Sequence, residues 1–157
     1  MSRIQLALNV ADLDEAITFY SKLFGAEPAK VRAGYANFAV VDPPLKLVLI
    51  EDPNQQPGTL NHLGVEVEST DAVAEAHSRL AAAGLATVSE EQTACCYALQ
   101  DKVWVDGPGG EPWEIYTVLA DTDAPAGALR AAAPGESACC APRPETTEVK
   151  VAAGGGR

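Results

Sequence analysis

Gln5, His62 and Glu114 offer an amide oxygen, an imidazole and a carboxylate, and Cys95 and Cys96 offer two neighbouring thiols. The first three make a borderline-hard ligand set that suits Fe(II), Mn(II), Ni(II), Co(II) or Zn(II). Three protein ligands leave positions open for substrate or dioxygen, whereas four suit a metal that holds and polarises a carbonyl. The paired thiols suit a soft centre such as trivalent arsenic, cadmium or mercury. Successive side chains of a strand point to opposite faces, so both sulfurs can share one atom only in a loop or turn. The polar run Ser89–Thr93 before them makes a loop plausible. The competing readings are a solvated strand Gln and Glu, and two inert or redox-active cysteines. His77 falls on the second helix at the place equivalent to Tyr20 and reads as a surface or packing residue.

The elements that must position these groups form an internal repeat. I-Q-L-A-L-N-V (4–10) matches N-H-L-G-V-E-V (61–67) at a constant offset of 57, and both alternate like strands. Gln5 and His62 are therefore equivalent, and duplication predicts that they face each other across the module interface. Each strand leads into a helical pattern. The first is capped by Asp12 or Asp14 and stops near Gly25; the second is capped by Thr70 or Asp71 and stops at Gly84. Three strands follow each helix: about 30–31, 35–40 and 45–50, then about 86–88, 97–105 and 113–118. The fold class is α+β: two tandem βαβββ modules, about 1–56 and 57–120, forming a curved mixed sheet around a metal site. The counterpart of Glu114 in the first module falls near the apolar Val48, which leaves three ligands.

Composition narrows the setting. The 22 acidic residues exceed the 11 basic ones, a formal charge of -11, which argues against nucleic acid because phosphate binding needs a basic patch. No run approaches the roughly 20 apolar residues of a membrane helix, and no export signal is evident. The expected location is the cytoplasm, with Cys95-Cys96 and Cys139-Cys140 as reduced thiols. Residues 121–157 are rich in Ala, Pro, Gly and Thr and read as a disordered tail, so no rigid site is argued for Cys139 and Cys140.

The repeat and the Gln…His…Glu pattern resemble the vicinal-oxygen-chelate superfamily, which includes glyoxalase I, extradiol dioxygenases and bleomycin-resistance proteins. S-R-I-Q-L-A-L-N-V, N-H-L-G-V-E-V, T-A-C-C-Y-A, Q-D-K-V-W-V and D-G-P-G-G-E-P-W-E-I-Y look like the bacterial carbon–arsenic lyases and cadmium-induced proteins. The resemblance spans about residues 2–119. It implies a non-haem Fe(II)-dependent dioxygenase that cleaves the C–As bond of small trivalent organoarsenicals, such as methylarsonous acid or reduced aromatic arsenicals, to arsenite. Gln5, His62 and Glu114 would be its metal ligands and Cys95 and Cys96 its substrate thiols. Many relatives in the wider superfamily carry a histidine where this chain has Gln5, so metal affinity is expected to be modest. Two rivals remain: a cadmium- or arsenic-binding resistance protein without turnover, and a glyoxalase-like lyase with a fourth ligand, for which Glu51 is near enough in sequence. Either a monomer or a homodimer fits.

Overall fold

A computed structural model of the chain describes residues 2–123. Residues 124–157, and with them Cys139, Cys140 and nearly all of the expected tail, lie outside the described residues. Ten elements follow in order: β1 (Arg3–Val10), α1 (Leu13–Phe24), β2 (Lys30–Arg32), β3 (Tyr35–Val40), β4 (Leu45–Glu51), β5 (Leu60–Glu66), α2 (Thr70–Ala82), β6 (Thr87–Cys95), β7 (Ala98–Asp106) and β8 (Pro112–Asp121). The βαβββ order thus occurs twice. All eight strands join one curled sheet in the order β2-β3-β4-β1-β5-β8-β7-β6.

The sheet's centre is the antiparallel β1–β5 pair. Leu6 stands opposite Leu63, Gln5 opposite Gly64 and Ala7 opposite His62. The sequence offset of 57 is the separation of Leu6 and Leu63, so the pseudo-two-fold axis passes through that pair. Both modules of one chain therefore meet edge to edge.

Period-two alternation divides the sheet's faces. On the convex face, Leu6 and Leu8 join Phe38, Leu47 and Leu49 against α1, while Val103 packs with Val73 and Leu80 of α2. Asp12 caps α1 by accepting from Glu15 N, and Gly25 ends it in the left-handed conformation at φ 61°. Ser69, rather than Thr70 or Asp71, caps α2. The concave face carries Gln5, Ala7, Val48, His62, Glu114 and Lys102.

The largest departure from the sequence reading is β6. The polar run expected as a loop is strand, because β6 is an edge that pairs only with β7 and lets its polar side chains meet water. An irregularity between Glu90 and Thr93 interrupts the ladder, with Gln92 at φ 48°. The buried Asp101 holds this bulge, accepting from Gln92 N at 2.8 Å and from Thr70 Oγ1 at 2.5 Å. Among the described residues no helix is long and apolar enough to cross a membrane.

Candidate metal centre and thiol pair

Gln5 on β1, His62 on β5 and Glu114 on β8 come together on the concave face, each at most 4% exposed. Gln5 Nε2 donates to Glu114 Oε1 at 2.7 Å and lies 3.1 Å from His62 Nε2; His62 Nε2 lies 3.3 Å from Glu114 Oε1. The register explains the convergence. Gln5 and Glu114 both flank Gly64, and His62 is two residues away on the same face of β5. A Cβ on Gly64 would stand 3.2 Å from the side chains of both Gln5 and Glu114, so only glycine leaves the hollow in which the three groups meet.

The donor chemistry fits a divalent cation. Asn61 Oδ1 lies 2.8 Å from His62 Nδ1, which puts the ring proton there and leaves the Nε2 lone pair facing the hollow. Burial pushes the Glu114 carboxyl up, but the Lys102 ammonium at 2.8 Å outweighs it and holds the group well below the usual carboxylate range. Among the described residues no three His, Cys, Asp or Glu side chains cluster in a metal-binding manner. The centre is a ligand triad only when the amide of Gln5 is counted, with its oxygen turned inward.

Among the described residues no fourth candidate ligand joins them. The β1–β4 register sets Val48 beside Ala7 as the β5–β8 register sets Glu114 beside Gly64, so Val48 is the counterpart of Glu114. Glu51 is engaged elsewhere: its Oε2 accepts from Leu13 N at the start of α1.

The thiols sit where the chain reverses. Cys95 ends β6, and Cys96 and Tyr97 turn into β7 with φ of 52° and 61°. Two successive left-handed residues define the tight turn favoured between right-twisted strands. This turn, rather than the loop expected over Ser89–Thr93, brings the sulfurs within 3.3 Å of each other. Cys95 is buried, and Cys96 packs against the cluster of Ala7, Tyr35, Val48 and Ile50. The turn is tied to the first module through Lys30 Nζ to Tyr97 O at 3.2 Å and Tyr97 Oη to Ala33 O at 3.0 Å. Between thiols and triad stands Tyr35, whose hydroxyl accepts from Asn37 Nδ2 at 2.9 Å. Burial, reinforced by the nearby Cys95 and Glu114, pushes it up to about 12.

His77 is remote from this site; its Nδ1 faces Ser89 Oγ at 3.4 Å, in keeping with a packing role. Sequence reading missed Lys46, Glu66, Lys102 and Tyr116. Lys46 carried a usable signal, because a lysine inside the apolar run Leu45–Ile50 requires a buried partner. Gln100 was missed as well; its Oε1 is buried on the same sheet face with no hydrogen-bond partner.

Residues 3–115 match the model of the Glyoxalase/Bleomycin resistance protein/Dioxygenase superfamily. A protein of Thermomonospora curvata named trivalent organoarsenical cleaving enzyme is 62% identical over 143 residues, covering 91% of each chain. The cadmium-induced protein CadI of Mycobacterium bovis is 67% identical over 123 residues, covering 78% of this chain and 80% of that one. Among solved structures, the 2,3-dioxygenase LapB of Pseudomonas sp. KL28 superposes with a TM-score of 0.59 at 20% identity, over 76% of this chain and 42% of that one.

Proposed function

We propose that this chain, which belongs to the Glyoxalase/Bleomycin resistance protein/Dioxygenase superfamily, cleaves the C–As bond of trivalent organoarsenicals to release arsenite. In this reading Gln5, His62 and Glu114 hold Fe(II), and Cys95 and Cys96 hold the arsenic. The observation that supports it is the clustering of an amide, an imidazole and a carboxylate on the concave face that also carries two sulfurs 3.3 Å apart. The name of the Thermomonospora curvata relative supplies the substrate class.

Bound Fe(II) would supply the binding and activation of dioxygen. The chain's own groups do the rest. With both thiols reduced, each displaces one hydroxyl from arsenic and gives it a proton, so two waters leave and two S–As bonds form. The turn then fixes the arsenic and directs its organic group along the cleft, so proximity does much of the work. Tyr35 remains a neutral hydroxyl up to about pH 12 and can donate to a group in the cleft. Its ring lies 5.6 Å from that of Tyr97, an aromatic wall for the organic substituent. Trp104 stands edge-on to His62 at 5.6 Å and shields that ligand from water.

Purified Fe(II)-loaded, reduced protein should release arsenite from methylarsonous acid in air and not under anaerobic conditions. Cys95→Ser or Cys96→Ser should abolish arsenical binding and spare metal binding, and Glu114→Ala should do the reverse. Equal losses in both assays for all three variants would refute two separable sites. Sequestration of cadmium or arsenic without turnover is the second reading, favoured by the name of the mycobacterial relative and by the same thiols. It predicts stoichiometric uptake and no arsenite in air.

A further inference from the structure

The Gln5 amide is turned the wrong way for a metal ligand, and every neighbour agrees with that orientation. Its NH2 group faces inward, with one hydrogen on Glu114 Oε1 at 2.7 Å and the other on the lone pair of His62 Nε2 at 3.1 Å. The two hydrogens thus occupy the two lone pairs a cation would need. Its oxygen faces outward and accepts from Tyr116 Oη at 2.6 Å. To ligate through oxygen the amide must rotate by half a turn, which presents NH2 to Tyr116. That rotation is feasible only if the tyrosine hydroxyl stops donating to Gln5 and starts accepting from it.

Tyr116 has somewhere else to send its proton. Glu66 Oε2 lies 2.9 Å from Tyr116 Oη, on the side away from the triad. A phenol has one hydrogen and two lone pairs. With NH2 inward, the hydrogen goes to Gln5 and Lys46 Nζ donates to one lone pair at 3.0 Å. With oxygen inward, the hydrogen goes to Glu66, Lys46 keeps its lone pair, and the Gln5 NH2 takes the second. All valences are then filled. Glu66 is kept ionised for this: burial pushes its carboxyl up, but Lys46 at 3.2 Å and the Tyr116 and Arg3 hydrogen bonds bring it below its ordinary value.

We infer that Glu66, acting through Tyr116, sets which end of the Gln5 amide faces the metal position, and so is a positioning residue for metal uptake. The inference rests on the proposed centre. It assigns work to a carboxylate that has no hydrogen bond to any of the three ligands.

Replacing Glu66 by Gln takes away the charge that draws the hydroxyl proton outward and leaves only a neutral amide acceptor, which favours the proton on Gln5. Titration of metal-free Glu66→Gln with Co(II), followed by its d–d absorption, should give the wild-type spectrum at roughly tenfold or more higher Co(II), the range of one lost hydrogen bond to a charged group. In a Tyr116→Phe background the same substitution should change the affinity less than threefold, because the relay is gone. A tenfold effect that persists without the hydroxyl would overturn the inference in favour of plain electrostatics, as would no effect in either background.

The wild-type chain gives a readout free of any folding defect. By NMR, the Gln5 side-chain NH2 should show cross-relaxation to the His62 ring in metal-free protein and to the Tyr116 ring after Zn(II) is added. Zn(II) uptake with the NH2 still against His62 would sink this inference alone. No uptake of Co(II) or Zn(II) would sink the proposed centre together with it.

Discussion

At the scale of single residues, the centre balances one buried carboxylate against one buried ammonium. Lys102 is 2% exposed and donates to Glu114, so in metal-free protein it does the neutralising that a cation would otherwise do. Lys102→Met should therefore destabilise metal-free protein by about 3–5 kcal/mol near neutral pH, since it strands a buried charge. The sign with pH follows from the lowered Glu114 carboxyl. Stability from its ionised form is present above the ordinary carboxylate range and is lost as pH falls through that range and below. Removing Lys102 raises that carboxyl, so the variant's acid limb should be shallower than wild type in urea titrations from pH 7 to pH 3. Added Co(II) should recover much of the neutral-pH loss, and a melting-temperature shift larger than the wild-type shift would register it. The clustering of Gln5 and His62 was legible in the sequence, because they stand at equivalent places in a visible repeat. Lys102 was passed over because Gln100 and Asp101 before it make it read as one of a polar run, and Glu66 because its repeat partner, Asn9, is uncharged.

At the scale of elements, β5 and the β6–β7 turn carry the most specific demands. Gly64 leaves the space into which Gln5 and Glu114 converge, and a methyl at 3.2 Å would force both to give. Gly64→Ala should cost roughly 1–3 kcal/mol of stability and weaken metal binding more than an alanine at Gly58, where nothing lies within 4 Å. Calorimetry and a Co(II) titration test both halves. The turn holds two non-glycine residues at left-handed φ, each a cost of about 1–2 kcal/mol. Under reducing conditions Cys96→Asn should therefore match or exceed the wild-type melting temperature while losing trivalent arsenical binding. A large fall in stability would mean that the sulfur has a packing role. Here the sequence was half legible. Alternation and caps gave β1, α1, β3 and β4 to within a residue or two, because their apolar faces are one-sided. It failed at β6 because an edge strand with polar outward residues has no apolar stripe to read, and the bulge at Gln92 breaks what alternation there is. The requirement for a turn at the thiols was legible, although its place was not.

At the scale of the molecule, all three candidate ligands come from one chain, with β1 and β5 joined at the middle of a continuous sheet. The sequence left open whether the modules pair within a chain or between two. The register closes the site internally, so metal should bind at one equivalent per chain. Activity per chain should hold constant on dilution, even if copies associate through exposed apolar residues such as Phe19 and Leu23. Activity that falls with dilution while metal stays bound would show that a neighbour completes the site.

The inequality of the two halves has a further consequence. Val48 stands where symmetry would put a second Glu114. The stretch around Val48 is therefore apolar, with Cys96 packed against it, and the stretch around Glu114 is ionic. Only β1 and β5 separate them, and neighbouring strands lie about 4.8 Å apart, so the trough passes from oil-like to charged within three strand spacings. A small amphiphile entering it meets a steep polarity gradient and is sorted end from end before any bond is made.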